Sequence, residues 1–149
     1  MPTLRIISAR IPIEASQNDT FLAVTDWESQ HNWIFATRVK GVGHNSHNIG
    51  GKLEAFTGFK SFGFLDTMII TKWDFPKLCE VTHTGKVVKG VGLFEVYNDT
   101  KITYFSWTEY IEIPFGILGK IGWLFISPII KLGLKYSLRR FKRCLYRIK

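Results

Sequence analysis

From Trp33 to Ile113 the chain is cut by short turn signals into runs too close together to be joined by anything but hairpins. Gly41 to Gly51 is a loop rich in Gly, Asn and His; Gly58 to Gly63, Pro76-Lys77, Thr84-Gly85-Lys86 and Asn98-Asp99-Thr100 mark the later turns. Between them lie candidate strands at 35–43, 52–59, 62–73, 78–84, 87–97 and 101–113. None of the turns holds a crossover helix, so a parallel, doubly wound sheet is excluded and an antiparallel meander is expected. Thr3 to Ile13 alternates as a further strand, with Leu4, Ile6, Ser8 and Arg10 on one side and Ile7, Ala9, Ile11 and Ile13 on the other, which brings the sheet to seven strands. Pro12 puts this strand at an edge or marks its end.

Two short helices fit between that strand and the meander. In 14–24, Phe21 and Val24 are spaced for one helix, and Thr25 or Asp26 can cap a second that ends near Asn32. At the other end of the chain Ser127-Pro128 reads as a helix start, with serine at the N-cap and proline at the first helical position. Beyond it Ile130, Leu134, Leu138, Phe141, Leu145 and Ile148 form a helical stripe. A helix from Pro128 to about Arg147 would be roughly 30 Å long, enough to cross such a sheet. At 149 residues the whole chain, 1–149, is expected to be one α+β domain.

Charge is divided unevenly. Residues 1–112 hold eleven basic and twelve acidic side chains, whereas the 37 residues after Glu112 hold nine Lys and Arg and no acid. The sequence pI near 9.6 therefore belongs to the last segment, where cations punctuate Ile, Leu, Phe and Trp. That pattern suits an anionic membrane surface better than a nucleic acid, whose partners spread Lys and Arg among polar residues. Lys131, Lys135, Arg139, Lys142, Arg143 and Arg147 are the candidate contacts with membrane or anion; the alternative is a solvated helix face. The longest uncharged apolar stretch there, Ile121 to Ile130, is about half the length of a bilayer span and reads as a core or interfacial helix. Met1 to Arg10 shows no secretory pattern, so a cytoplasmic location, with peripheral membrane contact, and reduced thiols at Cys79 and Cys144 are expected.

A strand, two short helices, six antiparallel strands and a long last helix resembles the helix-grip fold of the START/Bet v 1-like (SRPBCC) superfamily. Several segments strengthen the likeness: Ile11-Pro12-Ile13-Glu14-Ala15-Ser16 before the first helix, Asp26-Trp27 to Trp33, Ile49-Gly50-Gly51-Lys52 opening the third strand, Asp99-Thr100-Lys101 before the last strand, and Ile113-Pro114-Phe115-Gly116-Ile117-Leu118-Gly119 before the last helix. The nearest branch is the polyketide cyclase/dehydrase and lipid-transport one. The resemblance implies a curved sheet gripping the helix over an apolar internal cavity that takes a lipid, sterol, polyketide or other flat hydrophobic molecule; no cofactor is expected. Asn98-Asp99 stands where that family often has Gly, and its last helix is usually mixed in charge.

The 22 aromatics supply either core or cavity wall. On the last strand the more apolar face reads Phe105, Trp107, Glu109, Ile111, Ile113 and is assigned inward, so Glu109 becomes a buried anchor or acid, the alternatives being a solvent-exposed strand charge or a structural pair with Arg38 or Lys40. Cys79, Val81 and His83 share a face by the same alternation. The expected ligand-binding set is Trp33, Trp73, Val81, His83, Phe105, Trp107, Glu109, Ile111, Trp123, Ile130, Leu134 and Leu138, with Trp123 and Phe125 as a gate. Glu109 and His83 are also the only candidates for proton-transfer catalysis, as in a cyclase or dehydratase. Ligand binding is placed ahead of that enzyme reading, and an RNA- or ribosome-binding role of the basic helix comes third. His44 and His47 lie on a glycine-rich loop with no third ligand evident, so no metal site is expected. Gly41-Val42-Gly43 and Gly90-Val91-Gly92 lack the strand-to-helix setting of a nucleotide loop.

Overall fold

A computed structural model describes residues 3–148, with the side chains of Arg147 and Ile148 left undescribed. One antiparallel sheet runs β1 (Thr3–Ile13), then after two short helical elements β2 (Thr37–Val42), β3 (Lys52–Phe59), β4 (Phe62–Asp74), β5 (Leu78–His83), β6 (Gly90–Asp99) and β7 (Ile102–Ile113). Its spatial order is β1-β7-β6-β5-β4-β3-β2. Consecutive strands from β2 to β7 are therefore neighbours, and β1 closes the far edge against β7, from Thr3↔Ile113 to Ile13↔Thr103. The expected sheet is present, with strand ends displaced by a few residues at most; β6 starts at Gly90 rather than 87.

The first helix, α1 (Gln17–Val24), is capped by Ser16, whose hydroxyl accepts from the Asp19 N–H at 3.0 Å. The second is a 3₁₀ helix, Trp27–Asn32, with Asp26 before it. Both lie against the sheet because their apolar side chains have nowhere else to go: Phe21, Val24, Trp27 and Trp33 are buried to within about 2% of complete. Trp33 is the hinge of the packing. Its indole meets Phe94 of β6, Phe105 and Trp107 of β7, and Phe141 of the last helix, with ring centres 5.1–6.1 Å apart.

The last helix, α2 (Gly116–Ile148), departs from the expected one. It has 33 residues and begins twelve before Pro128, which lies inside it, so its length is about 50 Å. Ser127-Pro128 is thus an interior pair. Proline there removes one helical hydrogen bond, the one to Leu124, and the turns on both sides hold the rest. The two halves of α2 have different surroundings. In the second half Leu134, Leu138, Phe141 and Leu145 are buried, as their spacing requires, and α2 packs mainly on β1 with smaller contacts to β7 and the 3₁₀ helix. Each such buried side chain contributes about 1.5–3 kcal/mol. Ser137 fixes the register: its hydroxyl donates to Gly133 O at 2.8 Å and accepts from the Phe35 N–H at 3.0 Å. In the first half Ile117, Leu118, Leu124 and Phe125 are 72–76% exposed.

The exposed first half makes Pro128 a local rather than a global cost. Pro128→Ala restores the missing N–H and removes about 3 kcal/mol of helix penalty. It is expected to slow amide hydrogen exchange across residues 117–127 roughly tenfold or more while leaving the thermal midpoint nearly unchanged. A clearly raised midpoint would show that this half folds together with the core.

Candidate functional site

Between the sheet and the middle of α2 the side chains do not meet, and a cavity of about 520 Å³ remains. This is within the range that holds a small organic ligand. The sheet contributes Leu53 and Ala55 from β3, Phe64 and Met68 from β4, Cys79 and Val81 from β5, Phe94 from β6, and Trp107 and Ile111 from β7; α2 contributes Ile129, Ile130, Gly133 and Leu134. Trp33 and its rings fill the adjoining space, so the interior is solid on that side and hollow on this one. Phe35 and Ile129 line the cavity yet are 51% and 68% exposed, which places the mouth between the loop after the 3₁₀ helix and α2.

The Asp, Glu and His side chains of this wall form one cluster, while Gln30, Thr37, Thr57 and Ser137 are its other polar members. His83 Nδ1 is 2.8 Å from Asp66 Oδ2, and its Nε2 is 3.1 Å from Glu109 Oε2. The indole N–H of Trp107 donates to the other Glu109 oxygen at 2.7 Å. These side chains are deeply buried, with 6% of His83, 10% of Asp66 and 14% of Glu109 exposed. They come from β5, β4 and β7, so Glu109 must reach His83 across β6. The register shows how: Gly92 pairs with Val81 on one side and with Glu109 on the other. A Cβ at Gly92 would lie 3.0 and 3.1 Å from the Glu109 carboxylate oxygens and 3.2 Å from Val81 Cγ2. Glycine leaves the gap through which the carboxylate passes.

Burial alone would lower the His83 pKa, but the hydrogen bonds and charges of Asp66 and Glu109 outweigh it and raise the value from 6.5 to about 9. His83 is therefore an imidazolium at neutral pH, with both N–H groups donated to carboxylates. Asp66 Oδ1 is buried without a hydrogen-bond partner. Cys79, also on the wall, is pushed up to about 12, chiefly by burial and then by Glu80; its thiol stays protonated and is a poor nucleophile. The two cysteines are unbridged.

Of the side chains expected at the site, Val81, His83, Trp107, Glu109, Ile111, Ile130 and Leu134 line the cavity. Trp33, Phe105 and Leu138 do not; they belong to the solid core beside it. Trp73 lies elsewhere too, in a group with Phe21 and Trp27. Trp123 and Phe125 form no gate, since the turn carrying them extends beyond the cavity, with Trp123 partly exposed and Phe125 75% exposed. Glu109 pairs with His83 rather than with Arg38 or Lys40, and Lys40 pairs with Glu54 at 3.5 Å. Lys131, Lys135, Arg139 and Arg143 are exposed, Lys142 is partly covered over the Tyr146 ring, and the Arg147 side chain falls outside the described residues. Asp66 was missed, although Phe64-Leu65-Asp66-Thr67-Met68 places it on the apolar face of β4 by plain alternation. His47 is structural, bonding Thr25 O at 3.0 Å and stacking on Trp27. Among the described residues no group of three His, Cys, Asp or Glu side chains is placed to hold a metal ion.

The fold is the helix-grip α+β fold, a seven-stranded antiparallel sheet with one long last helix, as in similar solved structures. Among similar solved structures is the ZhuI aromatase/cyclase of Streptomyces sp. R1128, at 10% identity and a TM-score of 0.77, with 97% of this chain and 95% of that one covered. A Thermus thermophilus protein matches at 11% identity and 0.78, covering 97% and 99%. Norcoclaurine synthase of Thalictrum flavum matches at 12% and 0.70, covering 99% and 97%. No family model matches the chain, and no curated protein matches its sequence.

The cluster gives stability a definite pH dependence. A His pKa raised from 6.5 to about 9 on folding stabilises fully below pH 6.5, and that contribution is lost as pH climbs through 9. Urea midpoints are expected to fall across this window, and His83→Gln to flatten the fall. A wild-type midpoint that stays level from pH 6.5 to 9 would contradict a charged His83.

Proposed function

We propose that this protein binds a hydrophobic small molecule, such as a lipid or polyketide, in the cavity and exchanges it at an anionic membrane surface. The observation that carries the reading is the cavity itself: a mainly apolar space of about 520 Å³ with its Asp, Glu and His side chains gathered in one cluster. Apolar walls supply affinity without direction, and a few fixed polar groups orient the ligand. Packing would close such a space if stability alone governed it, because an unfilled cavity forfeits contacts on every side. The basic surface of α2 supports the membrane part, since each Lys or Arg near an anionic leaflet contributes about 1 kcal/mol.

A cyclase or dehydratase is the second reading, and the buried Asp66–His83–Glu109 cluster favours it. Against it, His83 gives both ring nitrogens to carboxylates and Glu109 has both oxygens engaged. Asp66 Oδ1, which has no hydrogen-bond partner, is the cluster oxygen left to accept from a ligand's polar end. The cluster is better suited to holding a ligand's polar end than to moving a proton.

Filling the cavity tests the binding reading. Val81→Trp adds an indole to the wall and is expected to reduce binding of a fluorescent hydrophobic dye at least tenfold, with the thermal midpoint unchanged or raised. Native mass spectrometry of wild-type protein taken directly from cell extract should show an added organic mass that Val81→Trp lacks. Equal dye binding by both proteins would remove the cavity from the account.

A further inference from the structure

The exposed side of α2 carries a second helical stripe. Leu118, Ile121, Phe125, Ile129, Leu132 and Tyr136 recur at three, four, four, three and four residues, and all are 45–76% exposed. They lie opposite the stripe Leu134, Leu138, Phe141 and Leu145 that seats the helix on the sheet. A large apolar stripe facing solvent is unusual for a folded monomer and marks a contact surface. It continues onto a second element. The Tyr136 ring meets Phe35 at 5.6 Å, and Phe35 meets Phe59 at 6.0 Å. Phe59 pairs with Phe62 at the tip of the β3–β4 hairpin, where the two are 67% and 83% exposed. Phe35 and Ile129, at the cavity mouth, lie within this surface.

We propose that the outer stripe of α2 and the β3–β4 hairpin tip form one docking face that enters the headgroup region of an anionic bilayer, so that the cavity mouth opens directly onto lipid. The proposal rests on the reading of binding with exchange at an anionic membrane and adds to it the surface through which exchange takes place. Charge selects the occupant. Lys120, Lys131, Lys135, Arg139 and Arg143 are exposed on α2, Lys60 sits at the hairpin tip, and no acidic residue follows Glu112. A second copy pairing through α2 would set these cations against one another with no acid on the helix to offset them. An anionic leaflet offers both an apolar layer for the stripe and phosphates for the cations.

By length and composition α2 is apolar enough to cross a membrane, and its most apolar 18 residues are 6% buried. It is nevertheless held lengthwise. The turns from Leu134 to Leu145 are bound into the core, and the free stretch from Gly116 to Leu132 is about 25 Å long at 1.5 Å per residue, short of the roughly 30 Å hydrocarbon layer. It also carries Lys120 and Lys131. Lying in the interface keeps the core intact, whereas spanning would dismantle it.

The test uses the full chain and vesicles of phosphatidylcholine with or without phosphatidylserine. Wild type should pellet with the anionic vesicles and much less with the neutral ones. The double variant Leu118→Asp, Phe125→Asp should lose at least tenfold in partitioning while keeping its binding of the soluble dye, because neither side chain lines the cavity. Lys131→Glu with Lys135→Glu should bring anionic binding down to the neutral level. Failure of wild type to pellet, or unchanged pelleting of the Asp variant, would overturn the docking face and leave the cavity reading standing. Concentration-dependent dimers dissolved by the Asp variant, or salt-sensitive RNA binding without vesicle binding, would assign the face to another occupant and equally overturn it. Loss of dye binding in wild type with pelleting intact would overturn the route of exchange together with the binding reading.

Discussion

Everything in this structure depends on how Trp33 is seated. Its indole contacts two strands and the last helix at once, through Phe94, Phe105, Trp107 and Phe141, and so fixes the distance between sheet and α2. Where the rings pile up, the grip is solid. Toward β3, β4 and β5, where the facing side chains are Ala55, Met68 and Val81, they cannot span that distance, and the cavity is the space left over. Phe94 and Trp107 belong to both regions, which makes the aromatic cluster the cavity's floor as well as the core's edge.

Onto that frame the polar cluster adds a constraint of a different kind. A buried carboxylate pair would repel itself, and the imidazolium between Asp66 and Glu109 converts the repulsion into two charge-assisted hydrogen bonds. The arrangement is possible only because β6 presents glycine where it passes between the partners. Backbone economy at Gly92 and charge at His83 are thus one feature, and substitution at either should be felt at the other.

Much of the fold was legible because its signals are local. The turns at Gly58 to Gly63, Pro76-Lys77 and Asn98-Asp99-Thr100 fix the strands within a few residues, and alternation puts His83 and Glu109 on the inner face. The failures came where context overrules a local rule. Ser127-Pro128 has the chemistry of a helix start, yet a helix already running on both sides absorbs one missing bond, so α2 proved far longer than its punctuation suggests. Trp73, Phe105 and Leu138 share the pattern of cavity residues, but whether an inward side chain meets a ligand or another side chain depends on tertiary distance. Asp66 was visible by alternation; its significance was not, because that arises from the pairing of three strands.

The account turns on whether the space beside Trp33 is occupied by a hydrophobic molecule. A crystal structure of the protein purified gently from cells, without detergent, tests this most directly. The expected result is continuous elongated density along Val81, Phe94, Ile130 and Leu134, with its polar end toward His83. A cavity holding only water, or one closed by α2 settling onto the sheet, would contradict it.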